Sequence, residues 1–282
     1  MDAFTVVTQQ HDIVGEGPIW IAREDKLYWV DILGKRLHAC RLSDRTVTTW
    51  VMPEPLCWIV ERAASKSFLA GFASGIAALS LDPVEIQKLH VMDHRDDHRL
   101  NDAKVDPAGR LWAGTMQESA QTATGRFFRL TGDDAPVCVD TGYLVPNGPA
   151  FSPDGGYLYH ADSARRIVYR YEVADDGTLQ DRLDFITFAY DWGLPDGMTI
   201  DVDGHLWVAH WDGSRISRFD PDGQLASFVR LPASRITSCA FGGSDLDRLF
   251  VTSAGLDRQD EPLAGAVFEV ETGTSGVAPV GF

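Results

Sequence analysis

Hydrophobic and polar residues alternate along the chain in short runs, and one phrase recurs six times. Each copy begins with a turn, which is followed by a leucine, or by a phenylalanine in the weaker second copy. In five copies the next residue is aromatic, and mostly apolar or small residues follow. The anchor positions are Leu27, Phe68, Leu111, Leu158, Leu206 and Leu249. Successive anchors lie about 41 to 48 residues apart, a spacing typical of the blades of a propeller.

Further short strands are predicted around each anchor. An alternating segment follows it, as in Gly125–Leu130 and Arg215–Phe219, and turns rich in Asp, Pro and Gly precede several copies. Such turns supply the backbone angles that connect adjacent strands. Hardly any segment has the 3.6-residue period of an amphipathic helix. The pattern therefore predicts an all-β protein, a six-bladed β-propeller with four antiparallel strands per blade.

The two ends of the chain complete this prediction. The last repeat lacks an outermost strand after Thr272, and Phe4–Thr8 near the N-terminus has the pattern to supply it. That pairing would close the last blade and remove open sheet edges. The repeated Trp-Asp signature of a WD40 propeller is absent. Because no linker interrupts the repeats, we predict a single β-propeller domain over residues 1–282.

Composition limits the partners that we expect. The formal net charge of −16 repels phosphate backbones and anionic lipids, so neither nucleic acid nor a membrane is expected. The sequence has no apolar segment long enough to cross a bilayer and no secretory signal pattern. We expect a cytoplasmic protein, a monomer or small homo-oligomer. Its cysteines are expected to be reduced and mostly buried thiols, namely Cys40, Cys57, Cys138 and Cys239.

Candidate chemistry lies at one offset that the repeats share. About ten or eleven residues before each anchor, the innermost strand of the blade begins, and innermost strands line the channel of a propeller. Four repeats place a carboxylate or an amide there, namely Glu16, Asn101, Asn147 and Asp196, and the other two place Trp58 and Ser238. We therefore expect two carboxylates and two amides to face one another at the channel.

Two carboxylates brought together repel each other unless a cation lies between them. Carboxylate and amide oxygens suit hard divalent cations, and three protein ligands leave positions open for water and substrate. Asn147-Gly148 and Asp196-Gly197 are also ordinary turn dipeptides, but four polar residues at one offset favour the metal interpretation. The loop from Asp201 to Gly204 lacks the ligand pattern of an EF-hand.

At these residues the chain resembles the senescence-marker-protein/gluconolactonase/luciferin-regenerating-enzyme family, also called the regucalcin family. The resemblance covers essentially the whole chain. It rests on the order and spacing of seven motifs: Gly15-Glu-Gly-Pro18 with Trp20, Tyr28-Trp-Val-Asp-Ile32, Arg99-Leu-Asn-Asp102, Gly109-Arg-Leu-Trp-Ala-Gly-Thr-Met116, Pro146-Asn-Gly148, Pro195-Asp-Gly-Met198 and Trp211-Asp-Gly213.

The resemblance implies a metal-dependent sugar lactonase that holds one divalent cation. It implies three metal ligands, Glu16, Asn147 and Asp196, and three residues that face the substrate, Arg99, Asn101 and Glu118. Oxygen ligands admit Ca²⁺, Mn²⁺, Mg²⁺, Zn²⁺ or Fe²⁺. The expected reaction opens a small-molecule aldono-1,4- or 1,5-lactone, such as xylono-, arabinono- or gluconolactone, to the aldonic acid. Asp196 is the candidate general base.

Two other functions stay open, an organophosphatase-type hydrolase and a non-enzymatic calcium-binding protein on the same propeller. The lack of a Gly-x-Ser-x-Gly motif argues against a serine esterase. Asp31 and Asp162 are candidates for the pocket wall beside Trp58, although structural hydrogen bonds suit them better. Five histidines are also candidates for the channel, namely His94, His98, His160, His205 and His210.

Overall fold

The computed structural model describes residues 4–92, 95 and 97–282. These residues form six sheets, each of four strands, and the strand pairs are antiparallel. All six predicted anchors lie on the second strand of their sheet, and each is at most 2% exposed. The predicted six-bladed β-propeller with four antiparallel strands per blade is confirmed.

Contacts within the chain define two compact units, and the first contains the chain up to Leu56 together with Phe188–Ala278. Its core includes the fully buried rings of Trp29, Phe250 and Phe268. It holds three sheets, with strands β2 (Gly15–Ile21), β3 (Lys26–Asp31), β4 (Arg36–Arg41) and β5 (Thr46–Val51); β18 (Leu194–Ile200), β19 (Leu206–Trp211), β20 (Arg215–Phe219) and β21 (Leu225–Arg230); and β22 (Ile236–Gly242), β23 (Arg248–Ser253) and β24 (Val267–Glu271), to which β1 (Phe4–Thr8) is added.

The second unit contains Cys57–Thr187 and Pro279–Phe282. Trp112, Phe127 and Tyr143 are buried in its core. Its three sheets consist of β6 (Leu56–Glu61), β7 (Phe68–Phe72), β8 (Gly75–Leu81) and β9 (Val84–His90); β10 (His98–Val105), β11 (Leu111–Gln117), β12 (Gly125–Leu130) and β13 (Val137–Tyr143); and β14 (Pro146–Phe151), β15 (Tyr157–Asp162), β16 (Ile167–Val173) and β17 (Leu179–Thr187). That residues 1–282 form one domain stays a prediction.

The N-terminal strand takes the place that the sequence predicts. β1 pairs antiparallel with β24, so that Phe4 lies opposite Val270 and Val6 lies opposite Phe268. The Phe4 and Phe268 rings meet edge to face with their centroids 5.7 Å apart. The last sheet is therefore completed by a segment from the other end of the chain.

The pairing of first and second strands is interrupted at the same place in five sheets. The register shifts fall within residues 16–19, 100–103, 147–150, 195–198 and 236–238. Gly17 and Gly148 have positive φ angles of 53° and 45° at two of these breaks, which glycine adopts without steric cost. Such bulges bend a strand and redirect its side chains, and they are frequent next to active sites.

Helix is confined to three single-turn 3₁₀ segments of the described chain, Ala22–Glu24, Ser163–Arg165 and Tyr190–Trp192. In the part of the chain that the structure describes, no helix has the length and apolar character needed to cross a membrane. The four cysteines are free thiols, of which Cys138 is exposed and the other three are buried. This agrees with the prediction of mostly buried thiols.

Candidate active site

The four polar residues at the shared offset lie near the beginning of the first strand in four different sheets. Glu16 is on β2, Asn101 on β10, Asn147 on β14 and Asp196 on β18. Their exposed fractions are 8%, 9%, 5% and 4%, respectively, and each lies at the register shift of its sheet. This strand position is as predicted, whereas the roles of the four residues stay predictions.

In the second unit, four of the described side chains form a continuous series of hydrogen bonds that we call the amide chain. Arg99 Nη1 donates to Asn101 Oδ1 at 2.8 Å. Asn101 Nδ2 donates to Asn147 Oδ1 at 2.8 Å and to the Pro146 carbonyl oxygen at 2.9 Å. Asn147 Nδ2 donates to Ser163 Oγ at 3.0 Å. The structure thus brings together Arg99, Asn101 and Asn147, which the sequence singles out.

Ser163 is the member of the amide chain that the sequence reasoning missed. It begins the 3₁₀ turn directly after β15, and it is 5% exposed. β14 pairs with β15 so that Pro146 lies opposite Asp162, and the Ser163 N–H donates to the Val145 carbonyl oxygen at 3.0 Å. Ser163 therefore lies across from Val145, and its side chain reaches Asn147 two residues further on. Its sequence signal is weak, because a serine after a strand is common in turns of every kind.

Two aspartates hold the segments that lead into the candidate ligands. The Asp31 carboxylate accepts the main-chain N–H groups of the two residues before β2, at 3.1 and 3.0 Å. Asp162 does the same for the two residues before β14, at 3.0 and 3.2 Å. Both carboxylates are fully buried. Asp31 and Asp162 therefore make the structural hydrogen bonds that the sequence favours for them, and they position the strands that carry Glu16 and Asn147.

Trp58, the other candidate for the pocket wall, is only 1% exposed and packs in the second unit. A Cβ atom at Gly71 would lie 2.0 Å from its indole ring, so the ring rests directly on that glycine. Such a buried ring offers little surface to a ligand. Trp58, on the first strand β6, therefore packs against Gly71 on the second strand β7 of the same sheet.

In the first unit, Glu16 and Asp196 lie on strands that both pack against β22. Glu16 Oε2 accepts the N–H of Gly17 at 2.8 Å. A Cβ atom at Gly197 would lie only 2.1 Å from Ser238 Oγ, so only glycine permits this close approach after Asp196. Ser238 lies on β22, and it is the residue at the shared offset in the sheet that β22 begins. The bulge glycine thus sets the distance between β18 and β22.

Glu118 is the remaining residue that is predicted to face the substrate, and it lies in a loop beside the strand of Arg99. Glu118 follows β11 and is exposed, and its N–H donates to the Asp97 carbonyl oxygen at 2.9 Å. His98 is 8% exposed, with Nδ1 2.6 Å from Asp97 Oδ1 and Nε2 2.8 Å from Thr124 Oγ1. Both of its ring nitrogens are therefore engaged in anchoring the loops. Among the described residues, no hydrogen bond joins Glu118 to Arg99.

Two other candidate histidines, His160 and His210, belong to the packing of their sheets. His160 is fully buried and stacks on Phe127 with 3.9 Å between ring centroids, and burial lowers its pKa to about 3. His210 is also buried, and burial lowers its pKa to about 3, while its Nδ1 lies 2.7 Å from the Trp192 carbonyl oxygen. Both rings are therefore neutral at physiological pH. His94 lies outside the described residues.

Asp201, Asp203 and His205 form a second cluster, with ligand atoms that all lie within 4.8 Å of one another. Such a cluster suggests a divalent cation. However, the Asp201 carboxylate already accepts the N–H groups of Asp203 and His205, at 3.1 and 2.9 Å. It also accepts Trp207 Nε1 at 3.0 Å and Arg218 Nε at 2.8 Å. Both of its oxygens are thus engaged with protein donors.

The same arrangement recurs at Asp106 in another sheet. Its carboxylate accepts the N–H groups two and four residues further on, at 3.0 and 2.9 Å. It also accepts Arg110 Nε at 2.6 Å and Trp112 Nε1 at 2.8 Å. Asp106 has no histidine or second aspartate at the matching positions, so it makes these hydrogen bonds without a cluster of metal ligands. We therefore interpret both carboxylates as structural groups that hold the turn between first and second strands, and we call each of them a clasp.

The fold and the polar residues at the first strands define the class of this protein, a six-bladed β-propeller with candidate oxygen ligands on several blades. The chain belongs to the SMP-30/Gluconolactonase/LRE-like family, whose model matches residues 14–255. The resemblance identified from the motifs is thereby confirmed.

Individual relatives are similar over almost their full length. The chain is 36% identical to 6-deoxy-6-sulfogluconolactonase from Pseudomonas putida, over 96% of each chain. It is 37% identical to pentonolactonase XacC from Haloferax volcanii, over 93% of this chain and 92% of the relative. A solved structure of the calcium-binding protein regucalcin from Agrobacterium tumefaciens has a TM-score of 0.94 and 26% identity, covering 100% of this chain and 97% of the other.

Proposed function

We propose that this protein is a sugar lactonase, which opens an aldonolactone to the aldonic acid. The observation that carries the proposal is the likeness to two proteins named as sugar lactonases, at 36% and 37% identity over at least 92% of every chain compared. Family membership and the six-bladed propeller support it. The substrate class is a five- or six-carbon sugar lactone, such as xylono-, arabinono- or gluconolactone.

We also propose that Glu16, Asn147 and Asp196 hold one divalent cation. Their chemistry fits such an ion, because two carboxylates and an amide supply only oxygen atoms, and all three are more than nine-tenths buried. The Asn147 oxygen accepts one hydrogen bond from Asn101, and its second lone pair leaves it able to bind a cation. Ca²⁺, Mn²⁺, Mg²⁺, Zn²⁺ and Fe²⁺ are all compatible with these ligands.

A divalent cation bound there would polarise the lactone carbonyl and acidify water. In the proposed reaction, a water oxygen adds to the carbonyl carbon, and an Asp196 carboxylate oxygen takes the proton from that water. The bond between the carbonyl carbon and the ring oxygen then breaks, and Asp196 delivers the proton to the ring oxygen. Arg99 retains N–H groups beyond those that it gives to Asn101 and Leu100, and these would bind the oxyanion or a sugar hydroxyl. The Glu118 carboxylate would accept a hydrogen bond from a sugar hydroxyl.

The test is a proton-release assay with a panel of aldonolactones, corrected for spontaneous opening. Protein stripped with a chelator is measured alone and after addition of each cation. We expect turnover to depend on a cation and Asp196→Ala to lower kcat by about 10² to 10⁴, the contribution of a general base. Asp203→Asn, in the second acidic cluster, is the control and should leave the rate unchanged. Full turnover by Asp196→Ala would refute the assignment.

A non-enzymatic calcium-binding function is the second candidate, favoured by the likeness to a regucalcin described as a calcium-binding protein. Calcium binding by calorimetry without turnover of any lactone in the panel would support it. A phosphotriester included in the panel tests the organophosphatase alternative. Turnover of that substrate alone would replace the lactonase proposal.

A further inference from the structure

An asparagine can bind a cation only through its oxygen, because its amide nitrogen carries two protons and has no lone pair to offer. The two ends of an amide have nearly the same size and shape. Packing alone therefore does not decide which end of Asn147 is presented to a ligand. Hydrogen-bond partners of fixed polarity are needed to make that choice.

Two groups of fixed polarity stand at the beginning of the amide chain. The Arg99 guanidinium can only donate, and it donates to Asn101 Oδ1 at 2.8 Å. The Pro146 carbonyl oxygen can only accept, and it accepts Asn101 Nδ2 at 2.9 Å. A rotation of the Asn101 amide by half a turn would set donor against donor and acceptor against acceptor. The orientation of Asn101 is therefore determined.

The orientation of Asn147 follows from that of Asn101. The second proton of Asn101 Nδ2 points at Asn147 Oδ1, 2.8 Å away, so the Asn147 oxygen must lie on this side. Its Nδ2 then faces Ser163 Oγ at 3.0 Å. A hydroxyl can donate or accept, and here it serves as an acceptor. Both Asn147 and Ser163 are buried, at 5% exposure each, so water does not readily replace this acceptor.

We infer that Ser163 is a positioning residue for Asn147. Asn101 decides which end of that amide is the oxygen end, and the Ser163 hydroxyl, by accepting the Asn147 N–H, holds the amide in the plane that presents this oxygen to the cation. The inference rests on the proposed cation site. Without the Ser163 hydroxyl, the Asn147 N–H group is buried without its acceptor, and the amide gains by turning away from its present plane. Partners that orient a metal ligand in this way typically change metal affinity by about 10- to 100-fold when they are removed.

The experiment measures cation affinity directly, by calorimetric titration of chelator-stripped protein with Mn²⁺ or Ca²⁺ alone. We expect Ser163→Ala to weaken binding by about tenfold or more. Ser163→Thr keeps a hydroxyl and should restore affinity to within about threefold of wild type. Ser217→Ala is the matched control, because Ser217 is fully buried and its Oγ has no hydrogen-bond partner among the described residues. Thermal unfolding of the stripped proteins shows that each variant folds.

A second background separates orientation from general packing. In Asn147→Asp the side chain has no N–H group, so removal of the Ser163 acceptor leaves no buried donor unsatisfied. Ser163→Ala weakens cation binding by a certain factor in the wild-type protein. In the Asn147→Asp variant, the same substitution should weaken cation binding by at most about a third of that factor. An equal loss in both backgrounds would overturn the inference, because Ser163 would then act without orienting the amide.

The result also distinguishes this inference from the proposed function. If wild-type protein binds the cation and Ser163→Ala binds it equally well, the inference is wrong and the cation site stands. If wild-type protein binds neither Mn²⁺ nor Ca²⁺, while also showing no cation-dependent turnover, both the site and the inference are wrong.

Discussion

The carboxylate of Asp201 offers a direct test of the difference between a structural clasp and a metal site. We consider Asp201→Asn, which keeps the size of the side chain and replaces one oxygen with an NH₂ group. The remaining oxygen can still accept the two main-chain N–H groups at 3.1 and 2.9 Å. The new NH₂ group then faces Trp207 Nε1 and Arg218 Nε, which are both donors.

The loss in stability can be worked out from these contacts. Asp201 is fully buried and Arg218 is 21% exposed at its side chain, so the pair is only weakly screened by solvent. Leaving the buried indole N–H without an acceptor costs about 1–3 kcal/mol, and a hydrogen bond to a charged group contributes about 1.5–3 kcal/mol. We expect Asp201→Asn to lower the free energy of unfolding by about 3–5 kcal/mol, the range found for broken buried ion pairs.

The measurement is guanidinium unfolding followed by tryptophan fluorescence, in chelator and again in excess Ca²⁺. A clasp predicts the same loss in both solutions, because no cation takes part. Asp203→Asn is the control, since its side chain is 61% exposed and such surface pairs contribute about 0–1 kcal/mol. A loss below about 1 kcal/mol for Asp201→Asn in chelator, or a loss that appears only with Ca²⁺, would refute the clasp.

Further predictions concern groups outside the proposed site. Burial lowers the pKa of His160 from 6.5 to about 3, so between these pH values the unfolded chain binds a proton that the folded chain does not. His160 should therefore contribute a fall in stability of roughly 1.4 kcal/mol per pH unit on acidification, in addition to the contribution of His210, and His160→Leu should lower the slope in urea titrations by that amount; an unchanged slope would contradict the neutral buried ring. Cys138 is the exposed thiol, so a thiol reagent should label one cysteine in the native protein and none in Cys138→Ser. Rapid labelling of a second thiol would show that the buried cysteines are accessible.

Much of the fold could be predicted because its signals are local. A strand of alternating residues and a turn of Asp, Pro and Gly each depend on a few neighbours, and their repetition identified the blades. The pairing of Phe4–Thr8 with the last sheet was also predicted, because an unpaired edge strand is unfavourable. The same repetition placed Glu16, Asn101, Asn147 and Asp196 on first strands, where the structure has them.

The partners of these residues could not be predicted in the same way. Ser163 is 16 residues from Asn147, and Asn101 is 46 residues from it. These hydrogen bonds depend on how one sheet packs against the next and on which turn follows β15. At Asp201 the neighbours in sequence mislead, because Asp203 and His205 beside it suggest a cation site. Only the folded structure shows that Trp207 and Arg218 donate hydrogen bonds to the Asp201 carboxylate.

The sequence by itself determined the six repeated sheets, the strand that completes the last one, and the positions of the polar residues at the beginning of the first strands. It could do so because period-two alternation and turn chemistry are properties of short segments. Only the tertiary structure decided which end of each amide faces its neighbour, which carboxylates are already engaged, and that Ser163 completes the amide chain. The reason is that hydrogen bonds have direction, and their direction depends on groups that folding brings together from distant parts of the chain.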